Sequence, residues 1–171
     1  IVKLEVPTLF KASIKIVTRA IDDDQPEVCL SIGQAGGRCD ITVERVAINV
    51  DDGRIPDNAG CQPLDEPIHP GGPAAYFATL PVKAVVEGIR RQGIPASVSN
   101  SAGTYVCNHL MYGVLDYISQ NNLPMRAGFI HIPFLPQQVV DKPSGTPSMD
   151  LATVTRALEA AVRVIASARQ V

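Results

Sequence analysis

Apolar residues recur along the chain at two spacings, one typical of helices and one typical of strands. Helical spacing predicts helices over residues 9–21, 81–92, 105–119 and 151–165, the second with a cap at Thr79 and the fourth with a cap near Ser148. Short apolar or β-branched runs predict strands over residues 27–32, 96–100 and 127–132, and a partly irregular extended segment over 41–50. This alternation predicts an α/β fold in a single domain, an α/β/α sandwich around a mixed, largely parallel sheet.

Residues 51–72 show neither spacing and are rich in glycine, proline, asparagine and aspartate. A stretch of this length without periodicity is uncommon inside a compact domain, and it is often a binding loop or a lid. In α/β folds, reacting groups also lie on loops at the carboxyl ends of strands. Candidate chemistry is therefore expected in this stretch and after the predicted strands.

Composition and charge narrow the possible partners. The chain has 171 residues, of which 46% are hydrophobic, enough for one sizeable core. Fifteen basic and seventeen acidic side chains give a net charge of −2, and no block of like charges suggests nucleic acid or an anionic membrane. Every apolar run is shorter than the roughly 20 residues that a membrane helix needs. These features predict a soluble protein whose partner is small.

The cysteines argue against a metal site. They lie at positions 29, 39, 61 and 107, with no CxxC pair and no zinc-type spacing to a histidine. Their wide separation is unlike the disulfide framework of a small secreted protein, so a reducing cytoplasm is the simpler setting. We expect no metal and a cytoplasmic location.

Cys107 is the candidate nucleophile. It follows a predicted strand and a small-residue turn and lies in the first turns of a predicted helix. The positive end of a helix dipole favours a thiolate, and the backbone N–H groups there can receive an oxyanion. The alternative is a buried cysteine that only fills the core, because unmodified cysteine is among the most buried residue types.

His131 is the candidate base. It lies near the carboxyl end of an apolar strand, where an imidazole needs a partner and a thiol is one that it could activate. The alternative is a core histidine satisfied by other groups. His109 lies two residues after Cys107 on the same predicted helix, and that spacing directs it to a different face.

Glu44 is the candidate acid, since with Arg45 it interrupts an otherwise hydrophobic segment. A carboxylate in such a place needs a hydrogen-bond donor, and a histidine N–H is one such donor. The imidazole would then be held in one tautomer. The alternatives are a surface pair with Arg45 or a pair with Arg54. The preceding loop GQAGGR lacks the spacing of a phosphate-binding loop and leads into a strand.

Three motifs containing these residues resemble those of pyroglutamyl peptidase type I, a family of intracellular cysteine peptidases also called pyrrolidone-carboxylate peptidases. The segment from Gly36 to Asn49 is similar to the family's GGRxxITxERVAIN, and that from Ser99 to Asn108 to its SNSAGxxxCN. The segment beginning at Gly128 is similar to GFIHIPFLP. The resemblance covers nearly the whole chain and implies a catalytic triad of Cys107, His131 and Glu44.

The resemblance also implies a pocket for the pyroglutamyl lactam ring and no cofactor. Its implied lining residues are Thr8, Gln34, Ile55, Tyr105 and Val106, with Arg54 near the site, either paired with Glu44 or helping to hold the oxyanion. Position 105 commonly carries phenylalanine in the family, so Tyr105 is a departure that could add a polar rim. The implied partners are N-terminally pyroglutamylated peptides.

The resemblance further implies a homo-oligomer, a dimer or a tetramer, with the apolar stretch GGPAAYFATLP available for an interface. The family usually begins with a strand and a loop of the form TGFxPFGG, so the expectation is one domain over residues 1–171 without that strand and loop. Two other functions compete with this interpretation. One is a thiol amidohydrolase with another substrate, and the other is a binding protein without catalysis.

Overall fold

Helices and strands alternate along the chain in the computed structural model, which describes residues 1–168. The helices of that range are α1 (Ala12–Asp24), α2 (Val82–Arg90), α3 (Val106–Gln120) and α4 (Leu151–Ser167), with a short 3-10 helix at Pro136–Gln138. The strands are β1 (Val28–Gln34), β2 (Ile41–Glu44), β3 (Val46–Ile48), β4 (Ala75–Phe77), β5 (Ala96–Ser99) and β6 (Arg126–Ile132). Each predicted helix and strand is present, with ends shifted by a few residues.

Four strands form the main sheet in the order β1-β6-β2-β5. β2 runs parallel to β5, with Glu44 opposite Ser99, and antiparallel to β6, with Thr42 opposite His131. β1 and β6 run parallel. The hydrogen bond from Arg126 N–H to the Glu27 carbonyl joins the starts of the two strands, and the one from Ala35 N–H to the Ile132 carbonyl joins their ends. The sheet is mixed and largely parallel, and helices flank it, which confirms the expected α/β class.

The extended segment over 41–50 consists of two strands, β2 and β3, separated at Arg45. β3 pairs antiparallel with β4 in a second sheet, with Val46 opposite Phe77 and Ile48 opposite Ala75. β4 was not predicted from the sequence, because three residues are too few to show a period.

The chain forms two compact units. The first comprises residues 1–29, 46–79 and 100–128, where α1 packs on α3 and α3 packs on β3 and β4. The second comprises residues 30–45, 80–99 and the chain from Phe129 onward, where α2 packs on β2 and β5 and α4 packs on α2. That residues 1–171 form one domain stays a prediction.

Two expected helix caps are wrong. The side chain of Asp150, not that of Ser148, caps α4 by accepting a hydrogen bond of 2.9 Å from Thr153 N–H. The Thr79 hydroxyl donates to the carbonyl of Ala127 and does not cap α2. At α4 two capping residues, Ser148 and Asp150, lie near the helix start and the backbone path selects the second, whereas α2 begins after Pro81 and has no side-chain cap.

Apolar side chains from the sheet and the helices form the cores of the units. The most deeply buried include Tyr112, Phe129, Ile41, Ile89, Met111 and Ile130. Two polar side chains are also fully buried, that of Glu44, whose carboxyl group lies at the end of β2, and that of Asn108. Within residues 1–168, no helix combines the length and the apolar character needed to cross a membrane.

Gly113 lets α1 and α3 approach closely. A Cβ atom at this position would lie 2.2 Å from Cδ1 and 2.5 Å from Cγ1 of Ile14. Gly113→Ala should therefore destabilise the protein by about 1–3 kcal/mol through overpacking, although alanine is the better helix former. Thermal unfolding measures the effect.

The matched control repeats this substitution in an Ile14→Ala background, where the clashing atoms are gone. There the cost of Gly113→Ala should shrink or change sign, as a double-mutant cycle would show. An equal cost in both backgrounds would contradict the assignment.

Candidate active site

The side chains of Glu44 and His131 meet in the second unit as a buried pair. The antiparallel register of β2 and β6 places Thr42 opposite His131 and so brings the end of β2 close to the imidazole. The His131 Nδ1 to Glu44 Oε1 distance is 2.8 Å, and the exposed fractions of the two side chains are 3% and 0%. Two of the candidate residues, 87 positions apart in sequence, therefore lie in contact.

This hydrogen bond sets the chemistry of the imidazole. An ionised carboxylate can only accept a hydrogen bond, so Nδ1 carries the ring proton and donates the hydrogen bond to Glu44. The lone pair of a neutral His131 is then on Nε2. The ring of Phe129 packs against His131 with 4.7 Å between centroids, which restricts rotation of the imidazole. The pair is thus arranged as an oriented base.

Arg38 is the charged partner of Glu44 among the described residues, and it was not predicted from the sequence. Its guanidinium donates to Glu44 Oε1 at 2.6 Å and also to the Thr42 hydroxyl. Arg38 belongs to the glycine loop before β2. The signal that could have identified it is the GGR that precedes β2, because the side chain of an arginine there can extend along the strand toward Glu44.

Gly36 shows why this loop is glycine-rich. A Cβ atom at residue 36 would lie 2.3 Å from Cζ of Phe134, so any larger residue would require this ring to move. The loop is packed in this way in the second unit, two residues before the arginine that contacts Glu44. The loop that carries Arg38 is thus closely packed at Gly36.

The pKa of Glu44 reflects opposing effects. Burial is the largest and raises the pKa, because a charge is costly away from water. Hydrogen bonds from His131 and Ser99 and the positive charge of Arg38 act in the other direction, and together they lower the pKa below its ordinary value. Glu44 is therefore an anion at neutral pH and can stabilise a positive charge on His131.

Cys107 is the second residue of α3 and is half-buried in the first unit. No acidic residue lies in the first turn of α3, so the positive end of the helix dipole is not offset there. Burial, the charge of Asp57 and the charge of Cys107 raise the pKa of neighbouring Tyr105. The candidate nucleophile is thus at a helix start, as expected.

Asn108 fixes the start of α3 and is a residue that sequence reasoning missed. It is fully buried, its Oδ1 accepts from Ile48 N–H at 2.9 Å, and its Nδ2 donates to the carbonyls of Ile48 and Val50. These bonds tie the residue after Cys107 to β3. Its place beside the cysteine in SNSAGxxxCN was the only available signal.

His109 has a structural role. Its Nδ1 lies 2.7 Å from Asp51 Oδ2, and its Nε2 accepts a hydrogen bond of 2.7 Å from Lys11 N–H. Both ring nitrogens are therefore engaged, and Lys11, with a φ of 61°, is held in an unusual backbone conformation at the start of α1. His109 has no lone pair left with which to serve as a base.

The segment with Arg54 and Ile55 is tied to the residues just before α3. The Tyr105 hydroxyl donates to the carbonyl of Pro56 at 2.9 Å, and the Thr104 hydroxyl donates to the carbonyl of Asp52 at 2.8 Å. Ile55 remains 48% exposed. The hydroxyl that distinguishes Tyr105 from phenylalanine thus anchors this segment.

A second anchor in the same loop is the carboxylate of Asp57. It accepts hydrogen bonds of 2.9 Å from the N–H groups of Phe10, Ala59 and Cys61. Burial, the largest effect, raises its pKa, but these three donors together lower the pKa below its ordinary value. A stretch without regular structure is in this way held by polar contacts, and the adjacent Asn58 N–H bonds to the carbonyl of Thr8.

The remaining candidates are distributed over the two units. Gln34 lies at the end of β1 in the second unit, exposed and bonded to Gln138 and to the Pro133 carbonyl. In the first unit, Val106 is buried and Thr8 is exposed. Glu44 and His131 are brought together, whereas the pairing of Cys107 with His131 stays a prediction. Over residues 1–168, no group of three histidine, cysteine or acidic side chains could hold a metal ion.

Known proteins resemble the chain along nearly its whole length. A family model described as pyroglutamyl peptidase matches residues 1–168. Pyrrolidone-carboxylate peptidase 1 of Caldanaerobacter subterraneus subsp. tengcongensis is 60% identical over 168 residues, which are 98% of this chain and 82% of that protein.

Two solved structures show the same fold. The pyroglutamyl peptidase I from Bacillus amyloliquefaciens has a TM-score of 0.92 at 50% identity, with 95% of this chain and 77% of that chain covered. The pyrrolidone carboxyl peptidase from Thermococcus litoralis has a TM-score of 0.90 at 44% identity, with 94% and 75% covered.

The lowered pKa of Glu44 predicts a pH-dependent contribution to stability. A carboxyl group whose pKa is lower in the folded state stabilises that state above its unfolded pKa, about 4.3, and this contribution disappears as the pH falls through the folded pKa. Glu44→Gln should therefore be less stable than the parent at pH 7, and the difference should shrink below about pH 4. Thermal unfolding between pH 7 and pH 3 measures it.

Glu5→Gln, at an exposed position, controls for the loss of one negative charge. A difference between parent and Glu44→Gln that stays constant over the whole pH range would contradict the assignment.

Proposed function

Because the chain belongs to the pyroglutamyl peptidase family of cysteine hydrolases, we propose that it cleaves the amide bond after an N-terminal pyroglutamyl residue, with Cys107 as nucleophile. The observation that carries the proposal is the buried 2.8 Å hydrogen bond between His131 and Glu44. A carboxylate that orients a histidine is two-thirds of a nucleophile-base-acid triad. Cys107, at the start of α3, supplies the remaining third.

The first half of the reaction forms a thioester. His131 Nε2 takes the proton of the Cys107 thiol, and the thiolate attacks the carbonyl carbon between pyroglutamate and the next residue. The carbon–nitrogen bond then breaks, His131 returns the proton to the leaving amine, and the shortened peptide departs. Glu44 keeps the imidazole oriented and stabilises its positive charge, as the buried pair and the lowered pKa of Glu44 support.

The second half releases the product. Water gives a proton to His131 and attacks the thioester carbon, and the carbon–sulfur bond breaks as the proton passes to the thiolate. Pyroglutamic acid leaves, and the thiol is restored. In each half, backbone N–H groups at the start of α3 stabilise the oxyanion, an effect of about 3–4 kcal/mol per donor in comparable sites. Arg54 adds a positive charge near this oxygen.

The proposed pocket selects a neutral ring. Ile55 and Val106 provide apolar surface, Thr8 and Tyr105 provide the rim, and Gln34 offers an amide to the lactam. An N-terminal glutamate or glutamine would bring a charged amine, and in one case a carboxylate, into apolar surroundings, so it would be rejected. The bond between the Tyr105 hydroxyl and Pro56 supports a preformed wall on the Ile55 side.

We also propose that the protein acts on pyroglutamylated peptides in the cytoplasm as a homo-oligomer, a dimer or a tetramer. Supporting this, Phe77 on β4 is 68% exposed, within the apolar stretch identified from the sequence. Aromatic residues are enriched in subunit interfaces relative to the rest of the surface. Sedimentation of the parent and of Phe77→Ser would reveal whether this surface joins subunits.

The substrate proposal predicts a strong preference among aminoacyl amides of one dye. The parent under reducing conditions should release dye from the pyroglutamyl amide at least about a hundredfold faster, in kcat/KM, than from the prolyl or glutamyl amide. The prolyl amide has a five-membered ring without the lactam carbonyl, so it tests the need for that carbonyl. The glutamyl amide has no ring, so it tests the need for ring closure. Equal rates would indicate a thiol amidohydrolase of broader specificity.

The catalytic proposal predicts that Cys107→Ser lowers kcat for the pyroglutamyl amide by at least about a thousandfold, because serine lacks the acidity of the thiol. Cys39→Ser and Cys61→Ser, at exposed positions, are matched controls and should keep the parental rate. Steady-state kinetics with verified folding of each variant provide the test. Undiminished turnover by Cys107→Ser would refute the role of Cys107, and an inactive parent that still binds the amide would indicate a binding protein.

A further inference from the structure

Gln34 and Gln138 form a reciprocal amide pair in the second unit. Gln34 Nε2 donates to Gln138 Oε1 at 2.6 Å, and Gln138 Nε2 donates to Gln34 Oε1 at 3.1 Å. The two residues are 104 positions apart in sequence, and both are exposed. A paired amide has a defined direction, unlike a solvated one that rotates.

Two backbone groups determine that direction. Leu135 N–H donates to Gln138 Oε1 at 2.7 Å, so this atom must be the oxygen. The Pro133 carbonyl accepts from Gln34 Nε2 at 3.3 Å, so that atom must be the nitrogen. Turning either amide by 180° would place donor against donor or acceptor against acceptor.

The pair leaves Gln34 able to accept one more hydrogen bond. The two hydrogens of its Nε2 are directed to Pro133 and Gln138, and one lone pair of its Oε1 is taken by Gln138. The other lone pair of Oε1 remains for a ligand. Held in this way, Gln34 can accept a hydrogen bond but has no further one to donate.

Gln138 is itself held in place. It ends the short helix Pro136–Gln138, where its N–H donates to the Leu135 carbonyl at 2.9 Å. The chain before this helix is anchored because Met149 N–H donates to the carbonyl of Phe134. Gln138 is therefore a fixed support for the amide of Gln34.

We propose that Gln138 is a positioning and specificity-determining residue, which locks Gln34 so that the site accepts a ring carrying an N–H group and disfavours a ring with only acceptors. This inference rests on the proposed function, in which Gln34 meets the lactam. Gln138 does not touch the substrate in this proposal. It acts through the direction of the Gln34 amide.

The prediction concerns discrimination between a lactam and a lactone. Each variant is assayed with the dye amide of pyroglutamic acid and with the dye amide of 5-oxotetrahydrofuran-2-carboxylic acid, in which a ring oxygen replaces the N–H. Gln138→Met keeps the length of the side chain but frees the Gln34 amide to rotate and donate to the ring oxygen. The ratio of kcat/KM for lactam over lactone should fall about tenfold, mostly through a higher KM for the lactam.

Two further variants separate positioning from a general structural effect. Gln138→Glu keeps an acceptor for Leu135 N–H and for Gln34 Nε2, so it should retain most of the parental ratio. Gln137→Met changes the neighbouring exposed glutamine in the same short helix and should leave kcat/KM for the lactam and for the lactone unchanged.

Each outcome has one meaning. If the parent cleaves the lactam amide and Gln138→Met keeps the parental ratio, or loses activity equally on both substrates, Gln138 does not set the direction of Gln34. If the parent fails to cleave the lactam amide at all, the proposed function fails first, and this inference with it.

Discussion

A carboxylate removed from water must be satisfied by donors that the fold brings to it, and Glu44 imposes this condition on the second unit. Its Oε1 accepts hydrogen bonds from the imidazole of His131 and the guanidinium of Arg38, and the side chain of Ser99 helps to lower its pKa, whereas its Oε2 has no hydrogen-bond partner among the described residues. Removing one of these partners would leave the buried charge less compensated, which is costly. The strands and the loop that carry these donors are therefore constrained by one side chain.

The strand order explains how such a site is assembled. β2 lies between β6 and β5, so the end of β2 is flanked by His131 on one side and Ser99 on the other. Side chains alternate between the faces of a sheet, so a slip of one residue in either register would turn the partners of Glu44 away from it. The strand pairing that stabilises the sheet thus also fixes the orientation of the candidate base.

The sequence predicted the elements whose signal is local and missed contacts that arise only on folding. Helical spacing identified α1 to α4, and the chemistry of Cys107, His131 and Glu44, supported by motif resemblance, identified the candidate triad. Arg38 and Asn108 were missed because their roles lie in partners at other positions, and three-residue β4 was missed because it is too short to show a period. The reciprocal pair that involves Gln138 joins residues 104 positions apart, which no spacing rule can indicate.

The histidines illustrate why chemistry at a site requires more than a residue type and a neighbour. His69, His109 and His131 each place Nδ1 within 3.0 Å of a carboxylate. A carboxylate that orients an imidazole therefore occurs at structural histidines as well. In His109 the lone pair of Nε2 is used by the backbone of Lys11, so the ring serves as a fixed link between helices. The mechanism proposed for His131 uses that same lone pair for a proton, which means that the fate of the second nitrogen separates a structural histidine from a catalytic one.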